Sequence, residues 1–284
     1  MRLALLVVGI LVATTPAFAQ VDLAGEWGAL NTVSEDQPHR NPGATLGDYT
    51  GLPINAAARQ KARSWDASIL SQPEQQAKPH PAQYSLRGGG GPNLRISKVI
   101  DPVTARLIAY MFTGLFGRAD RVIWMDGRAH PGPYAEHTWG GFSTGEWVNG
   151  ALKVTTTHMK MGVIQRNGVP SSPYGTMVEF WTRHLDHLSA FTWIDDPVYL
   201  EEPFVRTTDW LWAPAQHVGE PAPFETVDEL GDKPRGWVPS WPIGTEHRDL
   251  SESFNLPFEA TQGGARTLYP EYMREIERLR RENR

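Results

Sequence analysis

Three groups of residues in this chain have the types and spacing for acid–base or ligand-holding chemistry. The first is Asp126-Gly127-Arg128-Ala129-His130, with Glu136 and His137 close behind. A histidine beside a carboxylate is held in one tautomer and can act as a base near neutral pH. Asp126 and His130 are therefore candidate catalytic groups. Arg128 could grip a substrate carboxylate or phenolate, and His137 could add a contact. The competing reading is turn chemistry, with Asp126 accepting backbone bonds and pairing with Arg128.

The second group comes from two runs, 176–184 and 187–195, separated by Leu185-Asp186. A two-residue turn there sets Glu179 opposite Thr192, Trp181 opposite Ala190 and Arg183 opposite Leu188. Strand side chains alternate, so Glu179, Trp181 and Arg183 share one face. Glu179 is then a candidate base, with Trp181 and Arg183 as substrate contacts. A mixed acidic, aromatic and basic face suits a ligand cavity. A Glu179–Arg183 ion pair could equally be structural. The opposite face carries Val178, Phe180, Phe191 and Trp193 and should pack on something.

The third group is Thr155-Thr156-Thr157-His158 at a strand end. Alternation places His158 beside Leu152, Val154 and Thr156. A single histidine there is more often a hydrogen-bonded core residue, and it becomes a catalytic candidate if it meets Glu179 or His130. Tyr174 is a spare proton donor that could contact substrate. His184-x-x-His187, with Asp195-Asp196 in a later turn, raises a metal site, but no HExxH run accompanies it. No metal and no cofactor are expected. Gly141-Phe-Ser-Thr-Gly145 spells a nucleophile elbow without its strand–turn–helix context, so it reads as a loop.

Strands must position these groups. They are expected near 94–100, 105–113, 120–126, 145–148, 151–158, 176–184, 187–195 and 203–212. Turns are expected at Asp101-Pro-Val-Thr104, Asp126-Gly127, Asn149-Gly150 and Leu185-Asp186. Asn149-Gly150 is the strongest hairpin signal. Ahead of them, 21–27 reads as a first strand whose Trp27 plugs one end, and Asn55 should cap a short helix running to Asp66. The Gly88–Gly91 run follows no strand and opens no helix, so it is a loop and not a phosphate cradle. Pro270 should start a C-terminal helix with a narrow apolar face of Tyr272, Ile276 and Leu279.

The fold class that follows is mainly β. It is a roughly eight-stranded antiparallel barrel with irregular Pro/Gly-rich arms and a short C-terminal helix. Residues 1–19 form a signal peptide, 20–92 a first strand and arm, 93–213 the barrel, and 214–284 a wrapping segment with the terminal helix. The leader pattern is Arg2, an apolar 3–12 run and Ala17-Phe18-Ala19, with cleavage before Gln20.

Seven segments carry a family resemblance. They are HPAQYSLRG (80–88), NLRI (93–96), RVIWMDGRAHP (121–131), HTWGGFSTGEWVNGALKVTTTH (137–158), RNGVPSS (166–172), EFWTRHLDHL (179–188) and DDPVYLEEPFVR (195–206). In these the chain resembles a large uncharacterised family of secreted bacterial proteins. The resemblance implies a lipocalin-like (calycin-type) barrel and no particular activity. Gly25-x-Trp27 also recurs in lipocalins. The chain departs from the family in its Gly-rich 88–91 loop and in Leu185, where a turn glycine is expected.

Composition narrows the function classes. With 27 basic and 32 acidic residues the net charge is −5, which argues against a nucleic-acid groove. Absence of cysteine removes thiol nucleophiles and cysteine metal sites and fits a periplasmic or secreted protein. No integral membrane segment is expected. The leading expectation is a cofactor-independent lyase or isomerase acting on an aromatic or apolar small molecule held in the barrel. The alternatives are a non-catalytic carrier of such a molecule and a metal-dependent hydrolase. A homodimer is compatible with the chain.

Overall fold

The structure, a computed structural model, describes residues 21–30, 46–65, 78–86, 93–114, 120–165, 167–216, 232 and 246–282. The expected leader at 1–19, residues 31–45 of the arm, Asp66, the Gly88–Gly91 loop and most of 214–245 lie outside the described residues.

Eleven strands follow in chain order: β1 (Gly25–Ala29), β2 (Leu94–Ile100), β3 (Leu107–Thr113), β4 (Arg121–Trp124), β5 (Phe142–Val148), β6 (Ala151–Thr157), β7 (Gly162–Val163), β8 (Pro170–Ser171), β9 (Thr176–His184), β10 (His187–Asp195) and β11 (Phe204–Trp212). Nine of them close a barrel in the order β1-β11-β10-β9-β6-β5-β4-β3-β2, while β7 and β8 pair separately. The ninth barrel strand is β1, which joins both β11 and β2 and so closes the cylinder.

One pair departs from the antiparallel expectation: β4 and β5 run parallel, with Ile123 beside Ser143. Parallel neighbours need a crossover of about a dozen residues or more, and the Pro-containing 125–141 connection supplies it. That connection also carries the Asp126–His137 group back over the outside of the barrel.

The hairpin turns follow their backbone chemistry. Asn149 and Gly150 both take positive φ, 50° and 84°, as a two-residue type I′ turn requires. Leu185 also sits at positive φ, 54°, where a branched side chain is strained. Its side chain is 76% exposed and has little packing to lose. Leu185→Gly should therefore raise stability by about 0.5–1 kcal/mol, relief of strain exceeding the added chain entropy. Urea unfolding is the check, and a lower midpoint at unchanged slope would contradict it.

Two apolar clusters divide the interior. The barrel core gathers Trp27, Leu94, Ile96, Phe112, Ile123, Leu152, Trp181, Leu188 and Trp210. The second cluster seals the end where β9 begins and β10 finishes, with Tyr49, Ile54, Ala58, Met159, Ile164, Met177, Ile194 and Phe204. Its outer layer is the N-terminal arm. Helix α1 (Ala56–Arg63) is shorter than expected, and Asn55 caps it by accepting from Ala58 N at 3.0 Å. The Asn55 amide also donates to Val198 O, pinning the arm to the loop after β10.

The C-terminal segment forms α2 (Asp249–Ser253), α3 (Phe258–Thr261) and α4 (Pro270–Glu282). Its described part docks on the arm: Gly51 N donates to Thr267 Oγ1 at 2.8 Å and to Gly264 O at 2.9 Å. Of α4's apolar face only Tyr272 is buried, its hydroxyl donating to Ala260 O at 2.9 Å. Among the described residues no helix is long and apolar enough to cross a membrane.

Candidate functional site

The register between β9 and β10 is the expected one: Glu179 faces Thr192, Trp181 faces Ala190 and Arg183 faces Leu188. Glu179 and Trp181 point into the barrel, each 2% exposed. The apolar face with Phe191 and Trp193 points outward, and both are exposed. The side with the charges is thus the inner one, because Glu179 finds a partner there that the hairpin alone does not reveal.

That partner is Arg121, and not Arg183. Arg121 Nη2 donates to Glu179 Oε2 at 2.6 Å and Nη1 to Oε1 at 3.2 Å, a two-point fork. Arg121 Nη2 also reaches Thr156 Oγ1 at 3.2 Å, which shares a 2.8 Å hydrogen bond with Ser143. Ser143, the serine of the elbow-like spelling, is therefore a strand residue in a buried polar network. Four strands build this network, with Glu179 coming from β9. Arg121 and Ile123 alternate inward on β4, Ser143 sits beside Ile123 on β5, and Thr156 ends the inward row of β6.

Beside the network stands an aromatic wall. Trp181 and Trp210 stack at 5.3 Å with 23° between planes, and Phe112 meets Trp181 edge-on at 4.9 Å. β10 separates the strands of the two indoles, and its inward residue there is Ala190. A small side chain at that point lets the rings lean together across β10. The indole nitrogens of Trp181 and Trp210 and Nε of Arg121 are buried and have no hydrogen-bond partner. Buried donors without acceptors are costly, so these three ask for an acceptor inside the barrel.

Arg183 belongs to the other end of the cylinder. Its guanidinium lies over Trp27 at 4.9 Å and over Trp212 at 4.8 Å. It donates to Leu185 O at 2.7 Å and to Asp22 O at 2.6 Å. With Trp27, which is fully buried, it closes that end.

The candidate histidines His130, His137 and His158 do not enter the barrel. His130 lies on the outer face of β5 and β6, with Nε2 2.9 Å from Thr144 Oγ1 and Nδ1 2.8 Å from Thr157 Oγ1. His158 leaves the strand pattern because its backbone turns to φ 56°, so it does not share the inward face of Leu152, Val154 and Thr156. Its Nε2 faces Gly132 O at 3.0 Å and so carries the hydrogen, and its Nδ1 meets Thr157 Oγ1 at 2.8 Å. The neutral tautomers then form one directed chain. Thr144 donates to His130, His130 to Thr157, Thr157 to His158, and His158 to the Gly132 carbonyl. His137 Nδ1 donates to Met159 O at 3.0 Å. Burial first, and His158 second, hold the His130 pKa below its ordinary value. As pH falls below the unfolded value, the unfolded chain takes up that proton first, so this group lowers stability in acid.

Asp126 and Arg128 take the turn reading. Arg128 Nε donates to both Asp126 oxygens, at 2.9 and 3.0 Å, and its guanidinium sits 3.5 Å over Trp124. The pair is exposed, and Arg128 holds the Asp126 carboxyl below its usual range. No carboxylate orients His130. Tyr174 is 72% exposed on the loop after β8. His184 and His187 flank one end of the β9–β10 hairpin, while Asp195 and Asp196 lie at the other, so these four cannot share a metal. Buried Asp196 instead accepts from Ser172 N at 2.6 Å, Ser172 Oγ at 2.7 Å, Val198 N at 3.0 Å and Tyr199 N at 3.3 Å.

Comparison with protein-family models, curated proteins and solved structures finds no match. The inner network therefore stands on its geometry alone. Glu179 and Trp181 were visible in the hairpin pattern. Arg121 could have been found from the alternation Arg121-x-Ile123, which puts the arginine on the apolar side of its strand.

Proposed function

We propose that this protein is an exported carrier, binding an apolar aromatic molecule inside its barrel without transforming it. The observation that carries the reading is the stacked Trp181–Trp210 pair, with both indole N–H groups buried and lacking acceptors. A flat ligand bearing one acceptor oxygen would satisfy a donor there and stack on an indole face. A barrel of this size holds its own side chains or one small ligand. The leader pattern at Ala17-Phe18-Ala19 and the resemblance to secreted bacterial barrels support a periplasmic setting.

Acid–base catalysis on the same ligand is the second reading, favoured by the inward Glu179. Both carboxylate oxygens are engaged by Arg121, however, and His130 and His158 stand outside the wall. Among the described residues no histidine therefore stands beside Glu179 to take up a proton. For self-association, the exposed Phe191 and Trp193 on the outer sheet offer an apolar surface.

Tryptophan fluorescence on titration with acetylnaphthalene and with ethylnaphthalene tests the carrier reading. The ketone should bind about tenfold tighter, worth about 1.4 kcal/mol for one hydrogen bond to a buried donor. Trp181→Phe combined with Trp210→Phe should erase that difference. Equal affinity for both probes, or quenching by neither, would remove the basis of the reading.

A further inference from the structure

A second site lies outside the barrel, where helix α1 faces the glycine-rich turn after α3. The cleft has a volume of about 410 Å³ and is lined by Arg59, Arg63, Arg266 and Glu201, with Leu52 and Ile54 as an apolar wall. Three guanidiniums against one carboxylate is a positive balance in a protein whose net charge is −5. A bland explanation would pair each arginine with an acid. Arg266 does so at the rim, with Glu275 at 2.6 Å. Arg63 reaches Glu246 only at 3.9 Å, and its Nε is buried without a hydrogen-bond partner. Arg59 bonds a neutral group, Gln262 Oε1, at a long 3.4 Å, and lies 5.4 Å over the Tyr49 ring.

Arg59 and Arg63 are one helical turn apart on α1, which puts their side chains on the same face. The Arg59 pKa is lowered by burial first and by Arg63 second. Behind Arg59, the Tyr49 hydroxyl is buried, has no hydrogen-bond partner among the described residues, and is pushed up to about 12 by its burial, so it stays neutral. Glu201 is the one carboxylate among the lining residues and offsets the charge on Arg59 only in part, so a further anion is favoured there.

We propose that this cleft binds a compact anion, a carboxylate or phosphoryl group carried on a small partly apolar molecule. Arg59 and Arg63 hold the anion, Arg266 stands at the rim, and the Leu52–Ile54 wall receives the apolar part. Guanidinium forks match both oxyanion types in geometry, so the shared chemistry is the planar pair of acceptor oxygens. Glu201 opposes binding and sets a lower limit on how weakly charged a ligand can be.

Calorimetric titration of the whole mature chain with inorganic phosphate and, separately, with butyrate tests this and tells the two oxyanion sources apart. At least one should bind saturably. Arg63→Gln should weaken that binding at least about fivefold, and Glu201→Gln should tighten it at least about twofold. Arg278→Gln, at a surface pair with Glu282 on α4, should change nothing. If Arg63→Gln fails to fold, the Glu201→Gln gain still decides the matter. No saturable binding of either anion would overturn the proposal. So would equal weakening by Arg63→Gln and Arg278→Gln, which would reduce the effect to net charge.

Discussion

Glu179→Gln should lower folding stability by about 3 kcal/mol and leave the barrel folded at room temperature. The substitution is nearly isosteric, so packing is not the reason. Arg121 is 2% exposed, and a guanidinium offers only donors and no acceptor. Losing the only carboxylate on its fork leaves a buried guanidinium whose remaining partner is Thr156 Oγ1 at 3.2 Å. Breaking a buried pair from one side typically destabilises by about 3–5 kcal/mol, and the glutamine oxygen recovers a little of that. Surface pairs such as Lys153–Glu146 set the control, since Glu146→Gln should shift stability by less than about 1 kcal/mol.

The double variant Arg121→Met with Glu179→Leu sharpens the point. Both charges go together, and apolar side chains of similar volume join Val154, Trp181 and Met177, which already surround the site. Its stability should return to within about 1 kcal/mol of the parent, because the desolvation of two ions is removed along with their attraction. Ser143 and Thr156 keep each other as partners. Urea midpoints for the two singles and the double form a cycle. A double variant as unstable as the sum of the singles would show that the pair holds the barrel's geometry rather than only neutralising itself. Retained preference for acetylnaphthalene in the folded double variant would locate recognition in the indole pair and not in the ions.

The hairpin around Leu185 was legible because it is local. Period-two alternation and one turn fix every cross-strand neighbour, so Glu179, Trp181 and Ala190 could be placed from spacing alone. The Asn149-Gly150 turn was legible for the same reason. Arg121 as the partner of Glu179 was not, since their meeting depends on which strands become neighbours after closure. β4 and β9 are separated around the barrel by β5 and β6, and the parallel β4–β5 pair has no signature in either strand. His158 was misplaced because alternation was carried one residue beyond the strand, to a position where φ changes sign. The basic cleft has no signature in the sequence: Arg59 and Arg63 look like an ordinary helix face until Gln262 and Arg266, some two hundred residues later, fold against them.

Asp196→Ala should be the most damaging single change outside the barrel, about 3–5 kcal/mol. Four donors converge on this one fully buried carboxylate: two from Ser172 and the backbone N–H groups of Val198 and Tyr199. Alanine leaves all four without that acceptor, and the two Ser172 donors are in a fully buried position, at about 1–3 kcal/mol for each donor that water cannot reach. The damage should spread in a defined direction. The loop that Asp196 shapes gives Val198 O to the Asn55 amide, Tyr199 O to Asn55 N, and takes Pro53 O through Glu201 N. Those bonds hold the arm, and the arm carries Arg59 and Arg63. Hydrogen exchange in Asp196→Ala should therefore accelerate first across residues 46–63, while amides of β9 and β10 near Trp181 keep most of their protection. Anion binding in the cleft should weaken in step, with the aromatic probe preference unchanged. Uniform loss of protection through barrel and arm alike would mean that the two clusters unfold as one unit, and the division of the molecule into a barrel and a separately anchored cap would have to be abandoned.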